Sequence, residues 1–548
     1  MPTDARGPGQ DRHTDTGSDA GKSARARGDI PLAVLASSAR GSSVGDADWP
    51  RDSREKCAVF GVWTRTEQAG GSNGHAPTAG MLTYLGLYAQ QHRGQEAAGI
   101  AGSDGRVLRV HTGTGLVPDV LTESVVRDYD KFATHGAIGH TRYSTAGGSL
   151  ACNAQPFLES YVGGQVAIAH NGNLVNADAL RKDFERRGHL FHTTSDTECV
   201  IHLLASPEQQ SSVDPVAATL RHLQGAFSLL LLFKDRIEAA RDPWGWRPLV
   251  LGRIPGEHDA PGDAPGGAWV VASETVALDV VGATFVREVE PGEIVTLSHT
   301  IPGGIASRRF APAAMPAAHC VFEHVYFAHP ASKVFGQNVQ VTRERLGERL
   351  AAESPVQADF VVPMPDSGRS AAVGYARASG IQLREAIVPN RYVGRTFIRP
   401  TQAQRQAAVR LKLNVVGDIV RGKRLIIVDD SIVRGTTTKA KIEQIRQAGA
   451  SEIHLRISCP PIRHPCFFGV DFATRDQLIA AGKTVEQVRA FLGVDSLAYL
   501  SLEGLLSCMD RAPGQYCTAC FSGDYRIDVE HPTTDEVVTP QQRIFEAR

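Results

Sequence analysis

Two adjacent carboxylates, Asp429 and Asp430, follow four apolar residues, Leu425 to Val428, and precede Ser431-Ile432-Val433-Arg434-Gly435 and three threonines. Acids in that place are suited to holding ribose hydroxyls or a magnesium shell. The Gly/Thr turn behind them offers backbone N–H groups and hydroxyls to an anion. The elements that must position this chemistry stand on either side. Leu425–Val428 predicts a short buried strand of the parallel-sheet kind. Lys439–Ala448 has helical spacing, with Ala440, Ile442 and Ile445 on one side and Gly449 as a stop. The plain alternative is an ordinary strand–helix turn carrying two solvated acids. A second turn of the same build lies upstream: Asp359–Pro363 reads as a strand, Met364-Pro365-Asp366-Ser367-Gly368 leaves it, and Ser370–Ser379 reads as a helix. Its plain alternative is an N-cap turn, where Asp or Ser is expected anyway. Val339–Glu353, with Leu346 and Leu350 four apart, predicts a further helix.

A different chemistry is suggested at the other end of the chain. Cys57 heads a strand pattern, Cys57-Ala58-Val59-Phe60-Gly61-Val62-Trp63. Four polar clusters follow, expected in loops at strand ends: Gln91-His92-Arg93-Gly94-Gln95-Glu96, His140-Thr141-Arg142-Tyr143, His170-Asn171-Gly172-Asn173 and Thr194-Ser195-Asp196-Thr197-Glu198. Taken singly, such a cysteine is usually a small core residue, and such clusters are usually turn chemistry. Strand-rich patterning, with few long helices and a Pro/Gly/Asp insert at Arg253–Gly267, predicts a two-sheet sandwich flanked by helices.

The chain of 548 residues is longer than one core usually covers, so two domains plus tails are expected. A composition 42% hydrophobic and 21% charged describes a globular protein, and a net charge of −1 gives no electrostatic case for nucleic acid or an acidic membrane surface. No apolar run is long enough to span a bilayer. Nine cysteines are too dilute for a disulfide scaffold and favour a reducing compartment. Residues 1–56 are rich in Gly, Ser, Ala, Asp and Arg and are expected to be disordered. Pro31–Ala36 is too short for a signal sequence, and Asp4, Asp11, Asp15, Asp19 and Asp29 argue against a transit peptide. Composition alone favours a dispensable tail over a propeptide.

The Asp429 segment resembles the phosphoribosyl pyrophosphate (PRPP) motif of type I phosphoribosyltransferases, and the Asp366-Ser367 turn resembles the pyrophosphate loop of that family. The resemblance implies that Asp366, Ser367, Asp429, Asp430, Ser431, Arg434, Gly435, Thr436 and Thr437 bind PRPP, with Ser367, Asp429 and Asp430 at Mg2+. Asn390–Ile398 and the polar run to Arg410-Leu411-Lys412 would be a lid that excludes water. Pro389 stands where that family usually has Lys. The order and content of the Cys57 clusters resemble the class II, N-terminal-nucleophile glutamine amidotransferases. That implies Cys57 as nucleophile, its own α-amino group taking the thiol proton once residues 1–56 are removed. It implies oxyanion donors at Asn171 and Gly172. Arg142 would hold the glutamine α-carboxylate and Asp196 its α-ammonium, with Arg93 and Tyr143 around the site. Lys56 and Ala58 depart from the acid and glycine common around that nucleophile.

Cys517-Thr518-Ala519-Cys520 is a CxxC, ambiguous from spacing between zinc, a redox pair and chance. Cys466 lies in Pro460–Phe468, and Cys320 is expected to open a strand Val321–Phe327. Both halves together, in this order, resemble the glutamine PRPP amidotransferase family. Its iron–sulfur branch implies a [4Fe–4S] cluster on Cys320, Cys466, Cys517 and Cys520; from spacing alone a zinc site is equally compatible. Cys152, Cys199, Cys459 and Cys508 are read as packing residues.

The expectation is therefore an α/β two-domain protein: a tail or propeptide at 1–56, an αββα sandwich over 57–299, a linker at 300–318, a parallel-sheet domain over 319–500 and a cysteine-bearing segment at 501–548. The implied reaction converts glutamine and PRPP to 5-phosphoribosylamine, glutamate and pyrophosphate, the first committed step of purine synthesis. Feedback by purine nucleotides, a homo-oligomer and a cytoplasmic location follow from the same resemblance, with no nucleic-acid or membrane partner. Two competing readings are a class II amidotransferase with another acceptor and a non-catalytic PRPP or nucleotide sensor.

Overall fold

The computed structural model describes residues 57–64, 78–143, 150–256, 267–314, 316–389, 413–470 and 474–529. The stretch ahead of Cys57, the middle of the Arg253–Gly267 insert and the expected lid at 390–412 lie outside them.

Apolar runs whose alternate side chains enter different layers build the first half. Its strands are β1 (Ala58–Thr64), β2 (Ala97–Ser103), β3 (Leu108–Thr114), β4 (Gly136–Arg142), β5 (Phe157–Tyr161), β6 (Gly164–Leu174) and β7 (Gly225–Leu232). They continue as β8 (Ile237–Arg241), β9 (Val250–Ile254), β10 (Ala268–Ala272), β11 (Thr284–Glu288), β12 (Glu293–Leu297) and β13 (Ile305–Arg309). One sheet runs β11-β9-β10-β1-β4-β2-β3 and the other β13-β12-β8-β7-β6-β5. Val59, Trp63, Ala101 and Ile138 of the first pack against Ala167, Ala169, Leu230 and Leu232 of the second. The outer faces are also covered. Phe60 and Val62 lie under Leu82 and Leu87 of helix α1 (Ala79–Ala89) and Tyr129 of α2 (Glu123–Phe132). Ile168 and Leu229 lie under Phe184 of α3 (Ala177–Arg186) and Val200 of α4 (Thr197–Ala205). Gly86 lets α1 sit down on β1, because a Cβ there would meet the Phe60 ring at 2.2 Å. This is the expected αββα sandwich. Strands β9 and β10 pair on either side of the insert, Ala268 with Ile254.

Three local expectations are corrected. His140–Arg142 and His170–Asn173 lie within strands β4 and β6 rather than in loops, because both sheet faces are covered and polar side chains are drawn inside with partners. The stretch expected to be a linker supplies β13, whose Arg308 bonds Asp214 and Glu238 on neighbouring elements. Val321–Phe327 is a helical turn, Glu323–Phe327, closed by the Ala328 N–H on the Glu323 carbonyl. A short apolar run does not distinguish the two by period.

In the second half, β14 (Phe360–Pro363), β15 (Arg424–Asp429), β16 (Glu452–Ile457) and β17 (Ser496–Tyr499) form a parallel sheet in that order. Leu425 to Val428 are completely buried, as a central strand covered on both faces requires. Helices α5 (Val339–Glu353) and α6 (Arg369–Ser379) cross closely. A Cβ on Gly347 would meet the Ala371 carbonyl, and one on Gly374 the Glu344 carbonyl, each at 1.9 Å. After β14 the chain passes to Leu383 on one side, through a parallel bridge to Val361; after β15 it passes to β16 on the other. The reversal opens a crevice at the carboxyl ends of β14 and β15. Among the described residues no helix is long and apolar enough to cross a membrane.

Candidate active sites

Cys57 stands at the mouth of β1, 5% exposed, with its thiol 3.6 Å from the Tyr143 carbonyl. The β1–β4 ladder pairs Ala58 with Thr141, which sets Arg142 at the strand end beside the cysteine. Ser273 joins this strand to the next sheet: its hydroxyl accepts from the Val59 N–H at 3.0 Å and from Asn171 Nδ2 at 3.4 Å. Asn171 and Gly172 lie on β6 against β7. A side chain at position 172 would meet the Ala226 carbonyl at 2.0 Å, so close approach of the two strands demands glycine there.

Asp196 immediately precedes α4, and its Oδ2 accepts the Leu174 N–H at 2.9 Å. Its Oδ1 takes the Thr197 hydroxyl at 3.2 Å and faces His170 Nδ1 at 3.6 Å. Burial alone would push this carboxyl up, but His170, the Leu174 N–H and the Arg142 charge outweigh it and hold the carboxyl down to about 2. Arg142 and Asp196 thus set a cation and an anion in one buried place, complementary to an amino-acid zwitterion. Burial also pushes neighbouring His140 down to about 3, so it is neutral, with Nε2 on the His170 carbonyl at 2.9 Å.

Arg93, expected around this site, is engaged in a buried ion-pair cluster. Its guanidinium is 1% exposed and lies between Glu274 and Glu323. Burial would lower its pKa, and the two carboxylates reverse the direction. Glu274 also takes His92 Nε2 at 2.8 Å, the His329 N–H at 2.8 Å and the Ser332 hydroxyl at 2.6 Å. Glu323 takes Arg247 Nη1 at 3.1 Å. Neither glutamate nor Arg247 stood out in the sequence, where each is a single charged residue in an apolar stretch.

The crevice of the parallel sheet holds the other group of residues. Asp429 and Asp430 are buried at the end of β15, and the Asp430 N–H donates to Asp429 Oδ1 at 3.0 Å. The Ser431 hydroxyl donates to Asp430. Gly435, at φ 76°, turns the chain into helix α7 (Thr436–Gln447), which begins at the expected threonines. The Met364–Gly368 turn lies directly against this motif: a Cβ on Gly368 would meet the Val428 carbonyl at 2.3 Å and the Asp429 Cα at 3.0 Å. The Pro365–Asp366 peptide is cis. Asp366 is exposed and Ser367 half-buried at the turn, while Arg434 is bonded to Gln477. Two loops rich in oxygen donors and N–H groups therefore meet at one switch point.

The four cysteines of interest also converge. His319–Cys320 pairs in parallel with Tyr516–Cys517, so Cys320 lies opposite Cys517. The Arg463 and His464 N–H groups bond the Cys520 carbonyl at 2.9 and 3.1 Å, which brings the Cys466 loop onto the CxxC turn. Burial, then the neighbouring cysteines, drives the Cys520 thiol well up, and burial drives Cys320 up to about 12. Among the described residues no group of three or more His, Cys, Asp or Glu is arranged to hold a metal ion. The Cys466 loop also abuts the first site. Asn173 Nδ2 bonds the Phe467 carbonyl at 2.9 Å, Arg247 Nε bonds that of Phe468 at 3.0 Å, and a Cβ on Gly469 would meet Gly172 at 3.0 Å.

Residues 140–279 match the glutamine amidotransferase domain family. The amidophosphoribosyltransferase of Methanothermobacter thermautotrophicus is 44% identical over 478 residues, covering 86% of this chain and 94% of the relative. This chain belongs to the amidophosphoribosyltransferase family. The Bacillus subtilis amidophosphoribosyltransferase is likewise 44% identical, over 87% of this chain and 96% of its own. Among solved structures, a protein described as the allosteric regulatory enzyme of purine biosynthesis superposes with a TM-score of 0.77 at 43% identity, covering 88% of this chain and 98% of that one. The B. subtilis glutamine PRPP amidotransferase complexed with ADP and GMP gives 0.76 at 43% identity, over 87% and 99%. An amidophosphoribosyltransferase is an enzyme, and the two-part α/β fold described above carries one group of candidate site residues in each part.

Proposed function

We propose that this chain converts glutamine and PRPP to 5-phosphoribosylamine, glutamate and pyrophosphate, opening purine synthesis, with the work divided between its two sites. Cys57 Sγ attacks the glutamine amide, its proton passing to the Cys57 α-amino group once residues 1–56 are removed. The oxyanion meets the Asn171 amide and the Gly172 N–H. Arg142 takes the α-carboxylate and Asp196, already ionised at neutral pH, takes the α-ammonium. The thioester is then hydrolysed, and the ammonia is consumed at the second site, where it displaces pyrophosphate from C1 of PRPP. Asp429 and Asp430 hold the ribose side, and Ser431, Arg434, Gly435, Thr436 and Thr437 the 5-phosphate side, as backbone donors ahead of a helix suit an anion. Asp366 and Ser367 face the pyrophosphate.

The donor sets fit two further groups. Ser367, Asp429 and Asp430 offer hard oxygens suited to Mg2+, which would neutralise the departing pyrophosphate. Cys320, Cys466, Cys517 and Cys520 offer four soft donors, two buried and two half-buried, suited to a [4Fe–4S] cluster, which spaces its ligands more widely than a single ion does and would tie together three separate segments. The same reading carries a division into a sandwich domain extended through β13 to Arg309, a parallel-sheet domain over 319–500 and a segment at 501–548, with a homo-oligomer, a cytoplasmic location and feedback by purine nucleotides. The last is supported by the relative bound to ADP and GMP.

One observation carries the proposal: a buried cysteine beside a cation–anion pair, and an Asp-Asp strand end at a sheet switch point, occur in one chain. The test is a glutaminase and synthase assay on anaerobically prepared protein. Glutamine hydrolysis should rise on adding PRPP and vanish in Cys57→Ala, while synthesis from supplied ammonia survives that substitution. Intact mass should begin at Cys57, and iron and sulfide should be found in about equal amounts. Protein with its terminus and metals verified that neither splits glutamine nor consumes PRPP would overturn the reading.

A further inference from the structure

The β1–β10 ladder ends at the pair Phe60–Ala272. One residue beyond it, Ser273 keeps a backbone bond, its N–H donating to the Val59 carbonyl at 3.1 Å. The returning bond is different: the Val59 N–H goes to the Ser273 hydroxyl at 3.0 Å, not to a carbonyl. That substitution places a hydroxyl, completely buried, two residues from the nucleophile. The same oxygen accepts one of the two Nδ2 hydrogens of Asn171 at 3.4 Å. An amide with one N–H anchored can aim only the other. Ser273 is itself fixed, because Glu274 after it is locked by Arg93, His92, the His329 N–H and the Ser332 hydroxyl.

We propose that Ser273 is the positioning residue of the oxyanion hole, fixing the Asn171 carboxamide so that its free N–H points at the glutamine carbonyl oxygen as negative charge develops there. The inference rests on the reading of Asn171 as an oxyanion donor. A hydroxyl is the fitting group: it accepts from a strand N–H and from an amide at once, and it is short enough to remain in the ladder. Since the ground-state carbonyl gains less from an aimed donor than the oxyanion does, Ser273 acts on turnover rather than on glutamine affinity.

The experiment uses the full processed protein and compares wild type, Ser273→Ala, Ser273→Thr, Asn171→Ala and the Ser273→Ala/Asn171→Ala double variant. Glutaminase kcat and KM are measured beside synthesis from PRPP and supplied ammonia. Ser273→Ala should lower kcat for glutamine about 10- to 100-fold, below the roughly 100- to 1,000-fold that loss of an oxyanion donor itself costs. KM and ammonia-dependent synthesis should stay within about twofold, and Ser273→Thr, which retains the hydroxyl, should recover most of the loss. The double variant should be no slower than Asn171→Ala, because a residue acting through another adds nothing once that other is gone. Multiplying losses, an unchanged kcat in Ser273→Ala, or a parallel fall in ammonia-dependent synthesis would overturn the proposal. Full turnover by Asn171→Ala would instead overturn the oxyanion assignment beneath it.

Discussion

Replacing Arg93 by Met tests how the two halves of the chain are joined. The guanidinium is 1% exposed and both of its carboxylate partners are fully buried, so neither water nor salt reaches the contacts. Methionine approximates the length and leaves no large void, which isolates the loss of charge. Removing one member of a buried ion pair typically costs about 3–5 kcal/mol, because the remaining charge is left in a poor solvent. Here the remaining charges are partly compensated: Glu323 keeps Arg247, and Glu274 keeps His92, Ser332 and the His329 N–H. The expected loss is therefore near the low end, about 3 kcal/mol. Arg93→Met/Glu274→Gln removes the carboxylate that is left without an arginine and should recover about 1–2 kcal/mol of it. The assay is urea unfolding followed by far-ultraviolet circular dichroism, at low and at high salt, with the slope of the transition checked to be unchanged. Burial predicts the same loss in both salts. A loss below about 1 kcal/mol, or one that disappears at high salt, would show that the pair behaves as a surface contact and would refute the argument.

Asp429→Asn should abolish PRPP-dependent synthesis while basal glutaminase persists; equal loss of both would mean that the two sites are not divided as proposed. Gly469→Ala should slow glutamine hydrolysis at least about tenfold, because a Cβ at φ 88° would lie 3.0 Å from Gly172, the proposed oxyanion glycine. Unchanged turnover would show that the loop is free to yield. The Asp196 carboxyl lies at about 2 in the folded chain against an ordinary 3.8, so the folded state favours the ionised form. That contribution, on the order of 2 kcal/mol, is present above pH ~3.8 and lost as pH falls through ~2. The KM for glutamine should accordingly be flat from neutral pH down to about 5; a rise with a midpoint above about 4 would contradict the shift.

The sequence showed the chemistry where it is carried by local runs. The strand at Leu425–Val428, the double acid, and the glycine turning into a helix were all legible, because a parallel-sheet switch point is built from contiguous residues. The sandwich was legible from apolar alternation. Ser273, Glu274, Glu323 and Arg247 were not, because each acquires its role only from partners more than fifty positions away. The same holds for Arg93, whose guanidinium is shared between Glu274 in its own half and Glu323 in the other, both more than 180 positions away. Val321–Phe327 was misread because five apolar or aromatic residues in seven satisfy a strand and a buried turn equally.

Gly172 is enclosed in part by Gly469, and its neighbour Asn173 is bonded to Phe467, 294 positions further along. A nascent chain that has emerged only as far as Arg309 has completed both sheets of the sandwich yet still lacks that wall. The hydrolytic centre is thus finished late in synthesis, after every strand that carries the acceptor's acidic motif has left the ribosome. Free ammonia is a wasteful product, and this order of assembly is expected to limit its release from a half-made enzyme. A fragment ending at Arg309 that hydrolysed glutamine at the full rate would remove that safeguard from consideration.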